Sequence, residues 1–468
     1  MIFHSLDFLL FFGVVLAVYW SLSLRAQNCF LLVASYFFYG YVHPWFLTLL
    51  AASTIVDYSL ARAIASYPVH RRRLVIVSLV FNLTLLGFFK YFGFFVENVW
   101  LLLERLGLHV HKPVLAVVLP VGISFYTFQT LSYTIDVYRG RLEARRNFID
   151  FAAFLALFPQ LVAGPIERAT HLLPQVESPR RFDPEQAREG LLLMCWGFFK
   201  KLVVADNVAV VANKIFAVSE PSFSLVWTGT LAFGVQIYAD FSAYSDIARG
   251  AAKLLGFDLM KNFDHPYLSQ TPGEFWRRWH ISLSTWFRDY VYIPLGGSRG
   301  SKLVHYRNVM ITFLLSGFWH GASWNFILWG GFHGLILIVY ELCGRAFPKL
   351  LTTRWLSVPR MIICFALVNV GWLMFRETDA QQLFHDLALR PGGEAPADLL
   401  AAGNSLGATL FYALPLIIDD LLAKLGFYAR VRPTFAWASL QAALVVALVL
   451  GMSLLYSDAP SEFIYFQF

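Results

Sequence analysis

The sequence predicts an all-α fold, a polytopic bundle of membrane helices with about 11–13 spans or part-spans, organised as one integral-membrane domain over residues 1–468. Three observations predict it. Hydrophobic residues make up 58% of the chain and its mean hydropathy is +0.58. Charged residues supply 14%, against about 25% in a soluble domain. Apolar windows of about twenty residues, the length that crosses a bilayer, recur from end to end.

The first window, MIFHSLDFLLFFGVVLAVYW, has no basic start and no small-residue cleavage site. It reads as a retained span and not as a signal peptide. Further windows fall near 28–42, 44–65, 74–96, 114–137, 148–165, 190–216 and 222–255, then near 306–322, 324–345, 358–375, 405–423 and 435–456. Glycine and proline interrupt two of them, at LPVGISFY (119–126) and FPQLVAGPIER (158–168). Irregular backbone at membrane depth needs protein around it, so both breaks are expected in the interior.

Orientation follows from the basic loops. Arg71, Arg72 and Arg73 mark one loop, and Arg139, Arg141, Arg145 and Arg146 another. The positive-inside rule puts both in the cytoplasm and leaves 97–112 outside. The net charge of +7 is spread over such loops, which argues against nucleic-acid binding. Residues 376–403 read as a solvated connector. Cys29, Cys195, Cys343 and Cys364 are isolated, so neither a disulfide framework nor a zinc site is indicated. The sequon at Asn82 lies inside an apolar run.

The stretch SQTPGEFWRRWHISLSTWFRDYVYIPLGGSR (269–299) is too polar to cross alone. Read as one amphipathic helix over 276–290, it gathers Trp276, Trp279, His280, Leu283, Trp286, Phe287 and Tyr290 on one face, with Arg277, Arg278, Arg288 and Asp289 largely opposite. His280 therefore sits among aromatic rings. It either satisfies a carbonyl or performs chemistry. In SGFWHGASWN (316–325), a helix puts Phe313, Ser316, Gly317, His320, Gly321 and Trp324 on one face. Glycine costs a helix about 1 kcal/mol relative to alanine, so the small residues imply a close approach by a neighbouring backbone or a slim ligand. An ionisable residue at membrane depth is a functional candidate; the alternative is a tight helix seam with a hydrogen-bonded histidine.

Other groups read more plainly. His333 follows His320 on a separate helix and is no metal pair with it, so no metal site is expected. Asp240 and Asp246, in QIYADFSAYSDIARG (236–250), are ion-coupling carboxylates or, as the commoner case, hydrogen-bond hubs. Lys200 and Lys201 are expected to snorkel.

WRRWHISLSTWFRDYVYIPLGG, followed by GFWHGASWNFILWGGFHG, resembles the membrane-bound O-acyltransferase family, and YADFSAYSDIARGAAKLLGF and FPQLVAGPIER are similar to its bacterial alginate O-acetylase branch. The resemblance covers nearly the whole chain. It implies amphipathic or re-entrant helices around an acyl channel, with His320 and His280 as the catalytic pair. It also implies acyl transfer from a thioester to a hydroxyl, His320 taking the proton and His280 orienting or polarising the reacting groups. Trp279, Asp289, Ser316, Trp324 and Asn325 are the supporting candidates, the last two of them for an oxyanion. The implied setting is the bacterial inner membrane. The resemblance further implies acetyl-CoA as cytoplasmic donor, no permanently bound cofactor, and an extracytoplasmic acetyltransferase that receives the group for an exopolysaccharide such as alginate. The closing SEFIYFQF (461–468) is an interfacial aromatic anchor, or else, as similar motifs imply, it inserts toward the channel with Tyr465 as an acyl relay. Two rival readings are a D-alanyl transferase for teichoic acid fed by a carrier protein, and a secondary transporter. The second predicts paired broken spans in two halves, whereas the polar chemistry here concentrates in 236–333.

Overall fold

The computed structural model describes residues 1–112, 115, 117–162, 164–431, 436–457 and 461–466, and every regular element among them is helical. The chain divides into two compact units, Met1–Gly190 with Ala248–Met260, and Leu191–Ile247 with Lys261–Phe468.

The first unit opens with α1 (Leu6–Tyr19), α2 (Leu24–Gly40), α3 (Phe46–Ser66) and α4 (Arg71–Leu86). A π-helical turn, Gly87–Tyr91, carries α4 into α5 (Phe92–Arg105). The predicted outer loop at 97–112 is therefore helical as far as Arg105, because the apolar run FVENVWLLL continues the helix. α6 (Ile123–Tyr138), α7 (Phe148–Ala156), α8 (Phe158–Leu161) and α9 (Ala169–Glu177) follow. Polar groups inside this unit answer one another: the buried Asp57 carboxylate on α3 accepts from Ser78 Oγ at 2.5 Å and Asn82 Nδ2 at 2.8 Å on α4. The two predicted breaks are interior. Gly122, at φ +77°, heads α6 where a Cβ would stand 2.4 Å from the Leu161 carbonyl oxygen, and all four residues of α8 are buried.

α10 (Pro184–Phe199) and α12 (Phe223–Leu254) each run from one unit into the other, with α11 (Asp206–Phe216) between them. A π-helical turn, Lys200–Ala205, joins α10 to α11. The second unit continues with α13 (Pro272–Arg278), α14 (Ile281–Phe287), α15 (Lys302–His320), α16 (Trp324–Ala346), α17 (Pro348–Thr352), α18 (Ser357–Arg376), α19 (Ala380–Ala388), α20 (Pro396–Lys424), α21 (Phe427–Val431) and α22 (Ala436–Leu455).

Among the described residues, five helical stretches are long and apolar enough to cross a membrane: Phe46–Ser66, Arg71–Arg105, Trp324–Ala346, Arg354–Arg376 and Pro396–Lys424. This is a multi-pass membrane protein. The other predicted windows also hold helices, shorter or more polar, and in the window near 114–137 the helix begins at Ile123. α12 runs for 32 residues while holding Asp240, Asp246, Arg249 and Lys253, which suits a helix enclosed by protein.

Three further expectations are corrected. Residues 276–290 are not one helix, because the chain breaks at Trp279 and His280. The 376–403 connector is mostly helical, since Asp379 caps α19 by accepting from the Gln381 and Gln382 amides, Leu383 is buried, and α20 begins at Pro396. Lys200 and Lys201 do not snorkel; both are buried, Lys200 against the Asp246 carboxylate and Lys201 against those of Asp206 and Asp240.

Candidate active site

The site is built within the second unit, from three segments far apart in sequence. The first is the break between α13 and α14. α13 starts where Thr271 Oγ1 accepts from the Glu274 amide at 3.0 Å with Pro272 at the first helical position, a favourable start because proline has no amide to leave unpaired. It ends at Arg278. Trp279 is extended, and His280 takes the left-handed conformation at φ +42°, ψ +55°. Such a conformation costs a residue with a Cβ about 1–2 kcal/mol, so something must hold it there. Asn262 does. Its carbonyl accepts from the Ile281 amide at 2.9 Å, its Oδ1 from Ser282 Oγ at 2.7 Å, and its Nδ2 donates to Ser245 Oγ at 3.0 Å. The result turns a fully buried imidazole edge-on to Phe241 of α12, with ring centroids 4.7 Å apart.

The second segment is the α15–α16 hairpin. α15 ends on His320, whose neighbour Gly321 is extended at φ −162°, and Ser323 starts α16 by accepting from the Asn325 amide. The two helices meet backbone to backbone. A Cβ on Gly317 would lie 2.1 Å from the Phe326 carbonyl oxygen, and one on Gly330 would lie 2.2 Å from that of Phe313. The close approach expected from the glycines is thus present, and a neighbouring helix makes it. His320, 5% exposed, stands among Trp319, Trp329 and Phe375 at centroid distances of 4.9, 5.0 and 5.3 Å.

The third segment is 461–466. Tyr465 lies with its ring centroid 6.2 Å from that of His280, 5.9 Å from that of His320 and 4.4 Å from that of Phe241. Both histidine rings therefore lie beside one tyrosine ring, with Trp319 at 6.2 Å from His280 and 4.9 Å from His320.

The remaining candidates divide. Trp279 is buried in the aromatic wall beneath the break, 4.8 Å from Trp372 and 5.0 Å from Phe263. Ser316 is buried one turn before His320. Asn325 is buried, and its Nδ2 donates to the Glu377 carbonyl. Trp324 does not share a face with His320 as the single-helix projection required. The chain turns at Gly321, and Trp324 is 56% exposed. Asp289 lies in the π-helical turn after α14, ion-paired with its neighbour Arg288 at 2.8 Å. Reading the sequence missed Phe241, Trp329 and Phe375 as ring partners and Asn262 as the brace, since none carries a charge or motif that marks it. His265, Asp419 and Asp420 bring ligand-type atoms within 4.8 Å of one another, but these already bond as a network: His265 Nδ1 meets Asp420 Oδ1 at 2.6 Å, and Tyr428 donates to Asp419 Oδ1 at 2.6 Å.

A cavity of about 450 Å³, lined by Tyr292, His305, Thr312, Phe313 and Glu341 among others, opens beside α15. Rings lead from it to the histidine: Phe313 to Trp276 at 5.3 Å, Trp276 to Trp329 at 5.6 Å, and Trp329 to His320 at 5.0 Å.

Two sheltered imidazoles thus lie beside one tyrosine ring in a bundle of membrane helices, and residues 141–377, which include both histidines, match the profile of the membrane-bound O-acyltransferase family. The chain belongs to that family and is an O-acyltransferase. It is 39% identical to a probable alginate O-acetylase of Azotobacter vinelandii over the whole of both chains. It is 43% identical to a probable alginate O-acetylase of Pseudomonas aeruginosa, across 81% of this chain and 73% of that one. With a peptidoglycan O-acetyltransferase of Helicobacter pylori it shares 32% identity, over 96% and 94% of the two chains.

Proposed function

We propose that this protein, in the bacterial inner membrane, takes an acetyl group from acetyl-CoA at the cytoplasmic face and delivers it outward for O-acetylation of an exopolysaccharide such as alginate, through an extracytoplasmic acetyltransferase partner. The observation that carries this reading is the placement of Tyr465 with its ring about equally far from His280 and His320. The full-length likeness to relatives named as alginate O-acetylases supports the choice of acyl group and polymer.

The chemistry follows from the residues. His320 is the general base. A free imidazole, with a reference pKa of about 6.5, is largely neutral at pH 7 and accepts a proton. It takes the proton of the Tyr465 hydroxyl as the phenol oxygen attacks the thioester carbonyl. A C–O bond forms, the C–S bond breaks, and the leaving thiolate receives the proton from His320. His280 orients or polarises the reacting groups. The product is an aryl ester, which passes its acetyl group to the partner's hydroxyl. The cavity beside α15 offers space for the arm of the donor. Acetyl-CoA is a substrate in this scheme, not a resident cofactor.

The test incubates membranes with labelled acetyl-CoA and follows the label in wild-type, His320→Gln and Tyr465→Phe proteins. Label is expected on Tyr465 in the wild type, with transfer abolished in both variants while each elutes as a folded protein. Full transfer by a correctly inserted His320→Gln protein overturns the role of that histidine. An adduct on another residue, or full activity after removal of 463–468, overturns the relay.

A further inference from the structure

The 461–466 segment needs something to hold it, because a short stretch with one helical turn has no fold of its own. What holds it is charged and buried. Lys201, in the π-helical turn Lys200–Ala205, is fully enclosed, with Nζ 2.9 Å from Asp206 Oδ1 and 3.1 Å from Asp240 Oδ1. One cation thus faces two buried carboxylates, which leaves a net negative charge and acceptor oxygens that the ammonium alone does not fill. A buried ion cluster is tolerated only when hydrogen bonds satisfy what remains. The donors come from the segment. The Ser461 hydroxyl donates to Asp206 Oδ1 at 2.7 Å and the Ser461 amide to the same oxygen at 3.4 Å. The Ile464 amide donates to Asp240 Oδ2 at 2.8 Å. In return Lys201 Nζ donates to the Ser461 carbonyl at 2.8 Å. Between these anchors Phe463 stacks on Tyr244, with centroids 4.0 Å apart. The next residue after Ile464 is Tyr465.

We propose that Lys201, Asp206 and Asp240 form a latch for the 461–466 segment, and that they are positioning residues which seat Tyr465 between the two histidines. The cluster and the segment support each other: without the segment Asp206 Oδ1 and Asp240 Oδ2 lose the donors it supplies, and without the cluster the phenol has no fixed place. The π-helical turn fits this role, since such turns re-aim side chains within a helix and recur at functional sites. That the latch matters for transfer rests on the reading of Tyr465 as the relay; that it exists does not.

The test separates the two. In a full-length protein whose four native cysteines are replaced, Phe463→Cys and Tyr244→Cys place a thiol on the segment and one on its seat, and a short bis-thiol reagent reports whether they meet. The parent pair is expected to cross-link. Lys201→Met, and the milder Ser461→Ala, which leaves the charged residues in place, are expected to weaken the cross-link. Both should lower kcat with the donor KM unchanged, Lys201→Met by about 10²-fold, the loss that a displacement of about 1 Å brings at a reacting centre. Cross-linking the Lys201→Met protein first is expected to return transfer to the level of the cross-linked parent, which neither a catalytic nor a global folding role for Lys201 would allow. A parent that fails to cross-link, or a Lys201→Met protein that cross-links like the parent, overturns the latch; transfer that the tether does not restore overturns its role in seating Tyr465 for transfer. A cross-link lost with transfer intact supports the latch and refutes the relay.

Discussion

Gly317→Ala isolates position from chemistry, because the added methyl touches neither histidine. At 2.1 Å from the Phe326 carbonyl oxygen and 3.1 Å from Gly330 Cα, the new Cβ meets backbone on the opposite helix, which no rotamer change can move aside. Ordinary van der Waals contact begins near 3.4 Å, so α15 and α16 have to part by about 1 Å in an interior packed as densely as an organic crystal. Overpacking of this kind costs about 1–3 kcal/mol. His320 lies one turn further along the same helix and moves with it. A misplacement of about 1 Å at a reacting centre reduces rate by about 10²-fold, so transfer from labelled acetyl-CoA is expected to fall by that order while the detergent-solubilised protein still elutes as a single species. Gly331→Ala is the matched control, since its Cβ would meet nothing nearer than a Leu314 methyl at 3.6 Å. It is expected to leave transfer unchanged. Wild-type transfer in Gly317→Ala, or an equal loss in both variants, refutes the link from helix spacing to His320 geometry.

His280→Asn keeps a residue that tolerates the left-handed region, so the unfolding temperature is expected to stay within a few degrees while transfer falls by about 10²-fold, the lower end for an acid–base group. Retained activity would show that the ring at 280 serves only to fill space. Asn262→Ala strips the brace from two buried hydroxyls, Ser245 and Ser282, and should destabilise by about 1–3 kcal/mol; an unchanged denaturation midpoint contradicts this. In the other unit, the Glu167 carboxylate 2.7 Å from His171 Nδ1 lifts that imidazole above its ordinary pKa. A raised histidine contributes in full below the unfolded-state value of about 6.5 and loses its contribution as pH climbs through the folded value. The stability difference between wild type and His171→Gln should therefore be wider at pH 6 than at pH 9, and a difference independent of pH would exclude the ion pair as its source.

Fold class was legible because composition and window length report directly on the solvent around a helix, and both histidines stood out as candidates because an ionisable side chain at membrane depth is a functional candidate by default. Helical projection failed at two positions for one physical reason: it assumes an unbroken helix. At His280 the backbone turns left-handed, held by hydrogen bonds from Asn262, eighteen residues earlier in the chain, which no local pattern records. At Gly321 the extended backbone detaches Trp324 from the face of His320. Lys201 misled for the opposite reason. A lysine beside an apolar run snorkels by default, and only the arrival of Asp206, Asp240 and Ser461 makes burial the better state. Tyr465 could be read either as anchor or as insert, because a short aromatic stretch carries no information on what it packs against.

Each ring of the triangle rests on a local departure from the most stable choice: a left-handed non-glycine at 280, backbone contact at Gly317 and Gly330 beside 320, and a buried cation with two carboxylates behind 465. Departures of this kind persist where geometry is held for function. They can be exchanged for stability. Replacing a buried ion cluster by apolar residues of similar volume is often neutral or stabilising by about 1–4 kcal/mol, so Lys201→Met combined with Asp206→Leu and Asp240→Leu should give a protein that unfolds no earlier than wild type and transfers no acyl group. The single change Lys201→Met should instead unfold earlier, since it strands two carboxylates. If the triple variant is both stable and active, the charges at 201, 206 and 240 do not seat Tyr465, and the placement of that ring between the histidines has another cause.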